Sequence, residues 1–179
     1  MIAVVVIAAV LVAAGGVAAA VLLRRRRVPA GPDVGRILVP FTGGALDPYV
    51  LKAAIRIARA EEATLVPAFL IVVPLEQPQD APMQQQVAVA MPLLEAVEHA
   101  SLRAGVPVDA RVESGRTPIH ALQRLWDAER FDRIIVPAPV GRHHGFTPKD
   151  LTWMLTHAPS ETLILRPDPH AGPLAARSR

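Results

Sequence analysis

The chain has 179 residues, a formal net charge of +3 and no cysteine, with 51% hydrophobic and 20% charged residues. The missing thiols exclude disulfides, thiolate metal sites and cysteine nucleophiles. One Tyr, two Trp and four Phe offer no stacking platform for bases, and much of the basic excess sits in Arg24, Arg25, Arg26, Arg27, Arg177 and Arg179, which argues against nucleic acid as a partner.

Residues 1–23 carry no charged side chain, and the four arginines follow at once. At about 1.5 Å per residue such a segment makes a helix of roughly 34 Å, enough to cross a hydrocarbon core of about 30 Å. A cleaved secretory signal places its basic residues before the apolar run, so the order here is reversed. The expectation is a single transmembrane helix over 1–23, with the N-terminus outside and the rest cytoplasmic, because basic flanks stay on the cytoplasmic side. Gly15/Ala19 and Gly16/Ala20 give the small-xxx-small spacing that lets membrane helices approach closely. Arg24 to Arg27 are expected to meet anionic headgroups, each worth about 1 kcal/mol. Residues 24–35 read as a basic juxtamembrane segment and Pro/Gly-containing tether, 36–167 as one α/β domain of about 130 residues, and 168–179 as a flexible tail.

Within 36–167, short apolar runs alternate with helical patterns, which implies a parallel sheet covered by crossover helices. A first strand is predicted at 37–41, then a Thr42-Gly43-Gly44 turn and a helix to Ala60 with Asp47 as cap and Pro48 at its first position. A second strand spans 64–73, where Pro67 predicts an edge position, a bulge or a late start. After a polar loop, 83–103 is helical, with Pro92 expected to kink or restart it and Gly105 to supply the left-handed cap. The third strand is predicted at 106–112. Thr117-Pro118 opens a third helix whose buried face holds Ile119, Leu122, Leu125 and Trp126. The fourth strand follows at 133–137, a fourth helix runs from Thr147-Pro148 to His157, and a fifth strand occupies 162–165.

Four segments in this order resemble the universal stress protein family: Arg36-Ile37-Leu38-Val39-Pro40, Gly115-Arg116-Thr117-Pro118, Phe131-Asp132-Arg133-Ile134-Ile135-Val136, and His157-Ala158-Pro159 before Thr162-Leu163-Ile164-Leu165. The resemblance implies a Rossmann-like, doubly wound five-stranded parallel sheet of order 3-2-1-4-5, with a crevice at the carboxyl ends of strands one and four. In nucleotide-binding members, an aspartate ends the first strand and a G-x2-G-x9-G-S/T loop joins the fourth strand to its helix. Backbone amides there hold phosphates. Here Thr42 stands in place of the aspartate, and the loop keeps only Gly141 and Gly145, at a different spacing and with Pro139 and Pro148 removing donors.

The expectation is a universal stress protein-like regulatory or interaction module without conventional ATP binding and without a cofactor. It would pair as a homodimer through its fifth strand and engage a protein partner the sequence does not name. The alternative is an ATP- or AMP-binding stress sensor, with Thr42, Gly43, Gly141, Arg142, Gly145, Thr147 and Lys149 around the nucleotide or another anion. Three further chemistries read weakly. Thr42 to Asp47 resembles the SGGxDS turn of ATP pyrophosphatases but is one residue too long. His143-His144 lacks a nearby carboxylate or thiolate for a metal. Ser114, His120 and Asp127 lack a nucleophile elbow. No catalytic or metal residue is assigned.

Overall fold

A computed structural model describes residues 35–43, 45–78, 83–139, 145–166 and 174–175. The expected membrane helix over 1–23 and the arginines after it lie outside the described residues, as do Gly141, Arg142, His143 and His144. No helix among the described residues is long and apolar enough to cross a membrane.

Five parallel strands form one sheet: β1 (Arg36–Phe41), β2 (Thr64–Val72), β3 (Arg111–Gly115), β4 (Arg133–Pro137) and β5 (Glu161–Leu165), in the order β3-β2-β1-β4-β5. The connecting helices are α1 (Pro48–Ala60), α2 (Gln84–Arg103), α3 (Pro118–Ala128) and α4 (Pro148–His157). The order is the expected 3-2-1-4-5.

Strand alternation divides the core into two layers. Ile37, Val39, Phe41, Leu65, Phe69 and Ile71 face α1 and α2, where Val50, Ala54, Leu93, Leu94 and Val97 are buried. Leu38, Val66, Ala68, Leu70, Ile134 and Val136 face α3 and α4, meeting Leu122, Leu125, Leu151 and Met154. Strands buried on both faces read as continuous apolar runs, which is why β1, β2 and β4 stand out in the sequence.

The structure departs from the predicted elements at four points. Pro67 lies in β2, an inner strand flanked by β1 and β3. The Leu65 amide donates to Pro107 O at 2.9 Å, and the Asp109 amide to Leu65 O at 2.9 Å, so odd positions of β2 face β3. The ring of Pro67 therefore removes the one donor that would continue this ladder, and regular pairing resumes only at Ala68↔Arg111. The third strand accordingly begins at Arg111, with Leu65↔Val108 as an isolated bridge, and extends past the predicted end through Glu113 and Ser114 to Gly115. Pro92 does not restart α2, which is one helix of 20 residues. Pro92 and Ala88 are both exposed, so the unmatched Ala88 carbonyl lies where water can reach it.

The end of α2 follows expectation. Gly105 adopts φ +74°, and the Val106 amide returns to Ser101 O at 3.0 Å.

The fourth departure concerns the tail. Leu174–Ala175 form a short strand antiparallel to Ala45–Leu46, just after the Thr42-Gly43 turn. At least these two residues of the expected flexible tail are paired.

Candidate functional site

The carboxyl edge of the sheet opens between β1 and β4, and two prolines open it. The Thr64 amide donates to Gly35 O at 2.7 Å, which turns the odd positions of β1 toward β2 and the even ones, including Pro40, toward β4. The Ala138 amide donates to Leu165 O at 2.7 Å, which turns Pro137 toward β1. Neither proline has an amide proton to offer the facing strand. The β1–β4 register accordingly consists of Ile37↔Arg133 and Leu38↔Ile134 alone, whereas β1–β2 runs through six pairs and β4–β5 through five. Both prolines were visible in the sequence, but their effect depends on which neighbour each faces.

Thr42 follows β1 and is buried, and Gly43 makes the turn at φ +69°. Across the crevice, Gly145 is exposed and Phe146 is buried among Leu38, Val136 and Met154, which fixes the entry to α4. Thr147 caps the helix, and Lys149 is exposed on its first turn. The described members of the candidate set thus lie on the two strand-to-helix connections that border the crevice.

The donors at these helix ends are already engaged. At α4 the Asp150 amide donates to Thr147 Oγ1 at 3.2 Å, the Thr147 amide to Asp150 Oδ2 at 2.8 Å, and the Leu151 amide to Thr147 O at 3.1 Å. Pro148 has no N–H. Of the first-turn amides that of Lys149 alone has no acceptor among the described residues, and the Asp150 carboxylate places negative charge where an incoming phosphate would approach. α1 repeats the arrangement: Asp47 Oδ1 accepts from Tyr49 and Val50 at 2.8 and 3.1 Å, after which comes Pro48. α3 does so with Thr117, whose Oγ1 accepts from the His120 amide at 3.1 Å. Thr147 and Pro148 were legible as a cap and a first-turn proline; the reciprocal bond from Asp150 was missed, although Thr-x-x-Asp is its signature.

Arg116 is another side chain at this edge that the sequence did not single out. Its guanidinium donates to the carbonyls of Pro74 and Gln77, the latter at 2.8 Å, and so ties the β2–α2 loop to the start of α3. Gly115 beside it lets the backbone of α3 pack against the end of β3, since a Cβ there would lie 2.4 Å from the Ala121 nitrogen.

Residues weighed for other chemistry have local partners. His120 Nδ1 accepts from the Arg116 amide at 3.3 Å. Asp47 is the α1 cap. No group of three or more potential metal ligands occurs among the described residues. An open groove of about 520 Å³ between α3 and α4 is lined by His120, Arg124, Trp126, Asp127, Trp153 and His157, among others. Its two indoles stack at 5.6 Å and 7°, and both pack against the α3/α4 layer.

The arrangement defines the class of fold. A universal stress protein-family protein from Burkholderia pseudomallei superposes with a TM-score of 0.55 at 21% identity, covering 76% of this chain and 98% of that one. A universal stress protein in complex with cAMP gives 0.54 at 20%, covering 75% and 98%. A universal stress protein-family protein from Arabidopsis thaliana with AMP bound gives 0.52 at 16%, covering 75% and 93%. No protein-family model matches the sequence, and no curated protein matches it significantly. The fold of this chain is that of the universal stress proteins.

Proposed function

We propose that the chain is a membrane-anchored, non-catalytic regulatory or interaction module of universal stress protein fold that does not bind ATP in the conventional way. The observation that carries this reading is the N-terminus of α4, where Thr147 and Asp150 satisfy each other and Pro148 contributes no donor. A phosphate there would have to displace the Asp150 carboxylate. Thr42, which follows β1 where the resemblance places an aspartate, supports the same reading.

The anchor is the apolar segment 1–23, with Arg24 to Arg27 on anionic headgroups and the domain in the cytoplasm. Seven residues separate Arg27 from Gly35, and the chain between those two reaches at most about 28 Å, which keeps the amino edge of the sheet close to the bilayer and turns the crevice away from it. β5 is a terminal strand of the sheet, and its Leu163, Ile164 and Leu165 are half-buried, which suits pairing with a second copy. Confinement to a membrane raises the effective concentration for such pairing.

A second reading, an ATP- or AMP-responsive sensor, draws on the solved structures of this fold that contain AMP and cAMP. Purification of the full chain from membranes, followed by mass spectrometry of any released small molecule, separates the two. The proposal expects the chain in the carbonate-resistant membrane fraction without stoichiometric nucleotide. A stoichiometric adenine nucleotide would establish the sensor, and a fully soluble chain would remove the anchor.

A further inference from the structure

The two terminal strands of the sheet, β3 and β5, differ in what their outer backbone groups do. The Asp109 amide donates to Leu65 O at 2.9 Å, and Gly115 O accepts from the Val73 amide at 2.9 Å. Odd positions along β3 therefore face β2, and the even ones, Ala110, Val112 and Ser114, turn their N–H and C=O outward. At β5, Leu165 O accepts from the Ala138 amide, so Thr162 and Ile164 are the outward positions. Unpaired groups in such a row are a template for a further strand.

At β3 the template is occupied from within. The Ser114 amide donates to Glu113 Oε1 at 3.1 Å, and the Ala110 carbonyl accepts from Arg111 Nη1 at 3.2 Å. Both side chains are tied down elsewhere. Glu113 Oε1 also accepts from Arg124 Nε of α3 at 3.2 Å, and Arg111 bonds Asp109 and Glu129. Of the three outward residues, Val112 alone keeps both its N–H and its C=O without a partner among the described residues, and it lies between two charged side chains. An added strand bonds alternate residues, so capping on both sides of Val112 interrupts the row it would need. β5 has no such device. Among the described residues no side chain bonds the outward groups of Thr162 or Ile164, and 162–165 carry no charge. Only Ser160 O, before the strand, is met by Thr162 Oγ1, at 3.5 Å.

We propose that Glu113 and Arg111 close the β3 edge to strand addition, so that assembly of this chain stops at the pair formed through β5. The inference rests on the pairing proposed for β5 and gives the reason it ends at two copies. A chain with two open edges, each joining the same edge of another copy, builds an unlimited row, whereas a chain with one open edge builds a closed pair.

The test measures the protein mass per particle of the full chain in detergent micelles over a wide range of concentration. The unaltered chain should level off at two copies. Glu113→Ala frees the Ser114 amide, and its particles should grow past two copies as concentration rises. Adding Ser114→Pro, which removes that amide on the side away from β2, should return the count to two. Glu113→Gln keeps an acceptor at the same place without the charge and should also stay at two. In dilute protein, hydrogen exchange of the Ser114 amide should be about tenfold faster in the Glu113→Ala chain than in the unaltered one.

Growth of the unaltered chain past two copies, a Glu113→Ala chain that stays at two, growth that Ser114→Pro does not reverse, or unchanged exchange at Ser114 would each overturn the proposal. An unaltered chain that stays single at every concentration would instead refute pairing through β5. Glu113→Ala should then form pairs through β3, and a variant that also stays single would overturn the closed edge.

Discussion

The two edges of the sheet are closed in different ways. At the amino edge, charged side chains join elements far apart in sequence. Arg36 reaches Asp109 at 3.0 Å and Glu129 at 2.6 Å, across 73 and 93 residues, and Arg111 bonds both carboxylates. Arg133 pairs with Glu61 and with Glu161. At the carboxyl edge, the helix starts beside the crevice are satisfied within their own turn, as Thr147 and Asp150 are across three residues, and the long-range tie of Arg116 to Pro74 and Gln77 lies on the β2–β3 side. The amino edge is thus held by long-range ion pairing, whereas the carboxyl edge beside the crevice is finished locally, leaving β1 and β4 free to part. Stability and site are placed on opposite ends of the same strands.

Substitutions at the two edges should therefore behave differently. The largest effect is expected at the amino edge. Asp109 is 2% exposed, and Asp109→Ala leaves two guanidinium groups, 18% and 13% exposed, to share the Glu129 carboxylate alone. Loss of about 3 kcal/mol in urea unfolding is expected, because two largely buried positive charges then share one carboxylate. Burial lowers the Arg111 pKa, but its bonds to Asp109 and Glu129 outweigh that effect and hold it above the ordinary arginine value. Arg111 therefore stays charged throughout the neutral range, and the variant cannot relieve itself by deprotonation there.

Next comes Gly115→Ala, which forces a methyl against the backbone of Ala121 and should destabilise by about 2 kcal/mol in the same measurement. Thr147→Ala, at the carboxyl edge, removes only a cap, and about 1 kcal/mol is expected. The smallest change is expected for Arg133→Gln. Glu61 and Glu161 are 44% and 54% exposed, so about 0.5 kcal/mol is expected, shrinking further in high salt. Equal losses for Asp109→Ala and Thr147→Ala would break the contrast between the edges.

Much of this was legible in the sequence, for reasons that can be named. Apolar runs in β1, β2 and β4 announce strands buried on both faces, and Asp47-Pro48, Thr117-Pro118 and Thr147-Pro148 mark three helix starts by local chemistry. What depends on sequence-distant neighbours was not legible. Pro67 interrupts a ladder only because its nitrogen faces β3, which moved the start of the third strand from 106 to Arg111. The Arg36, Asp109, Arg111 and Glu129 group has no sequence signature at such separations. Nothing in Leu174-Ala175 points to Ala45-Leu46, because two-residue strands lack a measurable period. Of the candidate site, Thr42, Gly43, Gly145, Thr147 and Lys149 lie on the connections that follow β1 and precede α4. The reciprocal use of Asp150 changes what those connections can accept.

Calorimetric titration of ATP into the full-length chain tests the central claim most directly, since it asks whether the carboxyl edge still has donors to give. The account predicts no binding heat up to millimolar nucleotide. Saturable one-to-one binding with Kd below about 10 µM, roughly 7 kcal/mol, would contradict it.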